Sequence, residues 1–143
     1  MSLLDIAYTP APVIGRRETV RDAVAVTMPE GCDAVVVVDE EELVGIMTSR
    51  DIMLKVVLRR EDPESVLVEQ VMSAPVVTIH QDETPEKALA MMLENNIRHV
   101  VLIDRRKVTG LISQRQLLGK IVKEQSESLE YLAAFLSVEG SRH

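Results

Sequence analysis

The amino-acid sequence predicts an α+β fold, α/β-sandwich-like: two like units, each a small, mostly three-stranded sheet with two helices, packed about a pseudo-twofold axis. Three observations predict it. Residues 18–54 recur without a gap 65 positions later, at 83–119. Within each copy a helical apolar period gives way to two short apolar runs of strand length. The apolar fraction of 46% supplies a core, although the chain has no Trp, one Phe and two Tyr. That core must be built from Val, Ile, Leu, Met and Ala.

The repeat is close. Nine of the 37 aligned positions are identical, among them Thr19/Thr84, Val35/Val100, Val36/Val101, Asp39/Asp104, Gly45/Gly110 and Arg50/Arg115. Most others exchange like for like, such as Ile46/Leu111 and Thr48/Ser113. A repeat of this length is a supersecondary unit, and two copies argue for a closed pair rather than a solenoid.

In chain order, a short extended segment (Pro12–Ile14, repeated as Pro75–Ile79) opens each unit. Thr19 and Thr84 then stand as helix N-caps, the second followed by Pro85 at the first helical position. Val20, Ala23, Val24 and Thr27 keep helical spacing, as do Ala88, Met91 and Met92; Gly31 and Asn95-Asn96 stop the two helices. Next come Ala34–Val38 and Val100–Ile103, unbroken β-branched runs that suit strands buried on both faces. Each ends at an Asp (Asp39, Asp104) and a charged three-residue turn. Leu43–Met47 and Val108–Ile112 return as the second arm of a β-hairpin. A second helix starts at Thr48 or Ser113. A unit of about 50 residues buries three strands and two helices poorly alone, whereas two units packed sheet on sheet can do so.

The polar stretch Arg59–Ser65 reads as a linker. The units are placed at residues 8–60 and 73–123, with 61–72 as linker and lead-in helix and 124–143 as a helical tail. In that tail residues 124–128 read as a polar interruption, and Leu129, Leu132 and Leu136 as the stripe of a final amphipathic helix that packs on the pair or on another subunit.

Composition narrows the function. A net charge of −7 disfavours nonspecific nucleic-acid binding, which needs a basic footprint. A single cysteine excludes an intrachain disulfide framework and fits a reducing compartment. No run approaches the roughly 20 apolar residues of a membrane span, and no signal pattern opens the chain. A soluble cytoplasmic protein is expected.

The chemistry-bearing residues are few. Thr48 sits at a helix start, where its hydroxyl can cap the helix or donate to a phosphate oxygen. Asp51, three residues on, can accept two hydrogen bonds from a vicinal diol such as a ribose offers. On spacing alone the commoner reading is an N-cap with an acidic third residue. Cys32 reads as a buried structural thiol and His80 as a loop residue. Asp39–Glu42 lacks the spacing of a cation loop. No Walker loop, zinc pattern or nucleophile–base motif is present, so no catalytic residue is expected.

The order helix, Ala34–Asp39, turn, Gly45-Ile46-Met47-Thr48-Ser49-Arg50-Asp51, helix resembles the cystathionine β-synthase (CBS) domain family. Ile97–Asp104 with Gly110–Gln116 carries the same resemblance in the second copy, and Val68–Met72 matches the family's lead-in helix. Together the copies resemble the tandem pair called a Bateman module, standing alone and covering residues 8–123. The resemblance implies a regulatory module that binds adenosine derivatives (AMP, ADP or ATP, with S-adenosylmethionine as a further candidate) in the cleft between the units. The implied ligand set is Ile46, Thr48, Arg50, Asp51, Ser73, Val76, Thr78, Ile97 and Arg98, with Ile46 beneath the ribose. A second, weaker set is Val13, His99, Leu111, Ser113 and Gln116; there an amide replaces the Asp, while Arg98 and His99 are candidates to face phosphates. The lost carboxylate at Gln116 supports the alternative, a ligand-independent interaction or assembly module. The resemblance further implies a homodimer and an unidentified regulated protein. Glu40-Glu41-Glu42 against Arg105-Arg106-Lys107 at the hairpin turns favours antiparallel pairing wherever those turns meet.

Overall fold

A computed structural model describes residues 2–27 and 31–140 of the chain. Repeat 1 holds β1 (Val13–Gly15), α2 (Val20–Thr27), β2 (Ala34–Asp39), β3 (Glu42–Thr48) and α3 (Ser49–Ile52), which continues as a π-helical turn over Met53–Val57. Repeat 2 holds β4 (Thr78–His80), α5 (Pro85–Asn95), β5 (His99–Asp104), β6 (Lys107–Ser113) and α6 (Gln114–Gly140). Two short lead helices, α1 (Leu3–Ile6) and α4 (Val68–Val71), precede the repeats. Each sheet has three strands, with β1 parallel to β2 and β2 antiparallel to β3, and likewise for β4, β5 and β6.

The predicted caps are in place. The Thr19 hydroxyl accepts the Asp22 N–H at 3.2 Å, and that of Thr84 the Lys87 N–H at 3.2 Å. Asn96, at a φ of 52°, closes α5 in the left-handed region, as a C-cap of this kind requires. The described part of α2 ends at Thr27, and Gly31 beyond it takes a φ of 69°.

Side-chain alternation explains why the central strands read as unbroken apolar runs. Val35 and Val37 face the helices of repeat 1, in a core with Val20, Ala23, Met47 and Val56. Val100 and Leu102 do the same in repeat 2 with Ala88, Met92, Ile112 and Leu117. Ala34, Val36, Val101 and Leu111 point the other way and meet in a third cluster, where the sheets pack face to face. Both faces of β2 and β5 are therefore dry.

The lead segments cross over. Leu3 of α1 is fully buried in the core of repeat 2, and Val68 and Val71 of α4 in that of repeat 1. Backbone bridges match: Tyr8 pairs with Leu111, and Ser73 pairs with Ile46. These are equivalent positions at the 65-residue offset, so the exchange is symmetric about the pseudo-twofold axis. Two glycines make the crossings possible. A Cβ on Gly45 would collide with the Met72 side chain, and one on Gly110 would lie 3.0 Å from Thr9 Cγ2 and 3.1 Å from the Tyr8 carbonyl oxygen.

Four expectations are corrected. The hairpin loops have two residues, not three: Glu40-Glu41 and Arg105-Arg106 all adopt positive φ, and Glu42 and Lys107 already belong to strands. A two-residue loop with positive φ at both positions matches the strands' right-handed twist. The opening strands begin later than Pro12 and Pro75, at Val13 and Thr78, although the Pro12 and Val77 carbonyls still accept the Val36 and Val101 N–H groups at 2.9 and 3.2 Å. His80 is the last residue of β4 and lies 3.4 Å from Asp104, rather than in a loop. Finally, residues 124–128 do not interrupt anything. Their Glu, Gln and Ser side chains are solvated on a single helix that runs from Gln114 to Gly140.

Candidate functional site

Where β3 ends and α3 begins, Thr48 and Asp51 form a reciprocal capping box. The Thr48 hydroxyl accepts the Asp51 N–H at 3.2 Å, and the Thr48 N–H donates to Asp51 Oδ2 at 2.9 Å. Asp51 is 8% exposed, and a buried carboxylate needs partners. Its Oδ1 accepts from the Ser73 hydroxyl at 2.8 Å and from Lys55 Nζ at 3.3 Å; its Oδ2 also accepts from the Thr48 hydroxyl at 3.2 Å. Lys55 Nζ donates on to the Val71 carbonyl at 2.9 Å. A carboxylate offers about four lone-pair sites, and four donors already fill them.

This group lies where the second lead segment crosses repeat 1. The Ile46 and Ser73 backbones exchange both hydrogen bonds, at 3.0 and 2.8 Å. The structure thus brings together Thr48, Asp51, Ser73 and Ile46 of the expected set. Ile46 and Val76 both pack against the inter-sheet cluster, and Thr78 opens β4 opposite Val101. Ile97 packs against the repeat 2 core instead, beside Arg98, which is exposed and whose carbonyl accepts the Gln114 N–H at 2.7 Å. Arg50 is exposed on α3.

The equivalent place in repeat 2 keeps the box but changes its occupants. Ser113 N–H donates to Gln116 Oε1 at 2.9 Å, and Gln116 N–H donates to the Ser113 hydroxyl at 3.0 Å. Where repeat 1 has Ser73, repeat 2 receives Tyr8. That ring packs against the inter-sheet cluster, and its hydroxyl donates to the Gly31 carbonyl at 3.4 Å. Burial pushes the Tyr8 phenol above its usual value, with Cys32 and Asp33 adding to the rise. Leu111 is buried under this crossing. Val13 is 42% exposed at the start of β1. His99 is buried with its Nε2 2.8 Å from Asp33 Oδ1, so its ring edge is engaged between the repeats.

Lys55, Tyr8 and Asp33 were not singled out by sequence reasoning. The signal for the first two was available in the offset of 65, which aligns Lys55 with Lys120 and Tyr8 with Ser73. A shallow groove of about 360 Å³ lies beside the second box, lined by Asp5, Ile6, Gln116, Gly119, Lys120 and Lys123. Among the described residues no cluster of His, Cys, Asp and Glu could hold a metal ion. Among the same residues no helix is long and apolar enough to cross a membrane. Cys32 is buried, its Sγ 3.2 Å from the Ala34 carbonyl.

The model of the CBS domain family matches residues 4–58 and 68–123. A solved protein with CBS domains from Burkholderia ambifaria is 29% identical, with a TM-score of 0.78 over 87% of this chain and 96% of that one. An uncharacterized protein of Methanopyrus kandleri is 34% identical over 90 residues, 62% of this chain and 46% of its own length. The mitochondrial CBS domain-containing protein CBSX3 of Arabidopsis thaliana is 28% identical over 124 residues, 83% of this chain and 60% of its own. The chain thus spans about half to three-fifths of the length of these two relatives.

Proposed function

The chain belongs to the CBS domain family as a tandem pair, and from that premise we propose that it is a regulatory module that binds an adenosine nucleotide and has no catalytic activity of its own. One observation carries the reading: a carboxylate, Asp51, is held by a helix-start capping box at the crossing of the two repeats, with Ser73 and Lys55 on one of its oxygens. A ribose diol would take the place of those two donors on Oδ1. Such an exchange keeps the carboxylate satisfied, which a buried charge requires. It also frees an ammonium and a hydroxyl beside the ligand for phosphate or base. Ile46 and Val76 offer the apolar floor, and exposed Arg50 and Arg98 offer charge for the phosphates.

In this reading one cleft of the pair is the ligand cleft. The second has an amide in place of the charge and a tyrosine in place of a serine, so it binds more weakly. Loading the first cleft releases Ser73 of the second lead segment from Asp51, and that segment runs on into β4; a partner protein that contacts it can sense occupancy.

A second reading, an interaction module without ligand, draws on the same carboxylate, since its four sites are already filled. Equilibrium binding with labelled AMP, ADP, ATP and S-adenosylmethionine separates the two. Asp51→Ala is expected to weaken the adenylate by about ten- to a hundredfold, the loss of a charge-assisted pair of hydrogen bonds worth about 1.5–3 kcal/mol. Equal affinity in the variant removes Asp51 from the site, and no binding by wild type favours the assembly reading.

A further inference from the structure

Helix α6 outruns the body it belongs to. Its first turns are anchored by Leu117, fully buried in the repeat 2 core. From Val122 to Leu136 every described side chain is exposed, including Val122 at 58%, Leu129 at 66%, Leu132 at 50% and Leu136 at 59%. The stretch from Val122 to Gly140 reaches about 28 Å beyond. A helix of that length on its own is marginal in water, because helical stability in proteins comes mostly from packing an apolar face. It needs something to lie on.

The pattern along it specifies what. Leu118, Val122, Gln125, Leu129, Leu132 and Leu136 follow one another at alternating steps of four and three, the a and d positions of a heptad. Every charged residue over this span, namely Lys120, Lys123, Glu124, Glu127 and Glu130, falls at b, c or f. Positions a, d, e and g therefore carry no charge from Leu118 to Leu136, and two copies of this face meet without like-charge repulsion. The e positions are Gly119, Ser126 and Ala133, small enough for close approach of a second helix.

We propose that α6 pairs with α6 of a second copy of this chain as a short parallel coiled coil along this seam, with Gln125 opposite Gln125. In the parallel register the two amides share a layer and hydrogen-bond each other, whereas an antiparallel pair would set each amide against a leucine. A buried polar layer of this kind fixes register at some cost in affinity. Five apolar side chains from each copy, at about 60–120 Å² apiece, bury about 600–1,200 Å². That lies below the range of stable specific interfaces and within that of weak, transient ones, so the pair is reversible rather than permanent. The seam is independent of the nucleotide reading and stands or falls without it.

Sedimentation of the full chain at about 50 μM is expected to show a dimer, and Leu129→Lys/Leu132→Lys a monomer, with association at least about tenfold weaker. Gln125→Cys is expected to give a covalent dimer on mild oxidation and Glu127→Cys, at position f, none; this pair keeps the test open should the lysine variant fail to fold. A monomeric wild type would overturn the proposal. So would a dimer that survives both lysines, held then by other exposed residues such as Met53 and Val57. Equal cross-linking at 125 and 127 would overturn the register.

Discussion

Truncating a single side chain near the N-terminus should loosen the far half of the molecule. Leu3 is fully buried, yet the core that holds it belongs to repeat 2, where it packs among Ile79, Ala88, Met92, Val100, Leu102, Ile112 and Leu117. Leu3→Ala removes three carbons. At about 0.8 kcal/mol per buried carbon the transfer loss is about 2.4 kcal/mol. The cavity left behind adds to it, so the total falls within the range of about 2–5 kcal/mol seen for such truncations. The upper part of that range is capped because α1 is one turn long and can settle inward. With a urea slope of about 1–3 kcal/mol per M, the unfolding midpoint should drop by about 1–2 M. Amide exchange locates the damage: protection should fall in β5, β6 and the first turns of α6 before it falls in β2. A loss below about 1 kcal/mol would refute the crossed-lead packing, and so would exchange that speeds first in repeat 1. Val68→Ala, the equivalent change, should loosen repeat 1 instead.

Gly45→Ala should destabilise by about 1–3 kcal/mol, because the new methyl collides with Met72 and must push the second lead segment off β3; a Met72→Ala change made with it should recover part of the loss in chemical denaturation. Tyr8 should titrate above pH 10, read as phenolate absorbance. The folded value is raised, so the stability it contributes is complete below the unfolded pKa and lost as pH rises through the folded one; stability should fall more steeply above pH 10 in wild type than in Tyr8→Phe.

Much of this architecture was legible because it is written twice. The runs Ala34–Val38 and Val100–Ile103, apolar at every step, suit strands covered on both sides, and two such units cover them by packing sheet on sheet. The Thr48–Asp51 spacing announced the capping box. Spacing could not announce its partners. Lys55 reaches Asp51 from one turn further along the same helical segment, but Ser73 reaches it only because α4 crosses to the other repeat, and nothing local in Val68–Val71 says which core it will join. The lead helix α1 was missed outright: four residues hold too little period to detect, and its identity lies in its match to α4 rather than in itself. The turn at Glu40-Glu41 misled because charged residues rarely take positive φ; the strand twist overrode that preference. Residues 124–128 misled in the opposite way, since a solvated helix face and a loop share one composition.

The exchange of lead segments also bears on what half of the chain could do alone. A chain with only residues 66–123 would carry α4 with no core beneath it and a core with the place of Leu3 empty. Two such chains could mend both faults at once by trading leads across a true twofold axis. The stretch Arg59–Ser65 ties into one chain what two half-length chains would otherwise hold by symmetry alone. In one chain the two crossings need not be alike, and here one sets Ser73 beside a carboxylate while the other sets Tyr8 beside an amide.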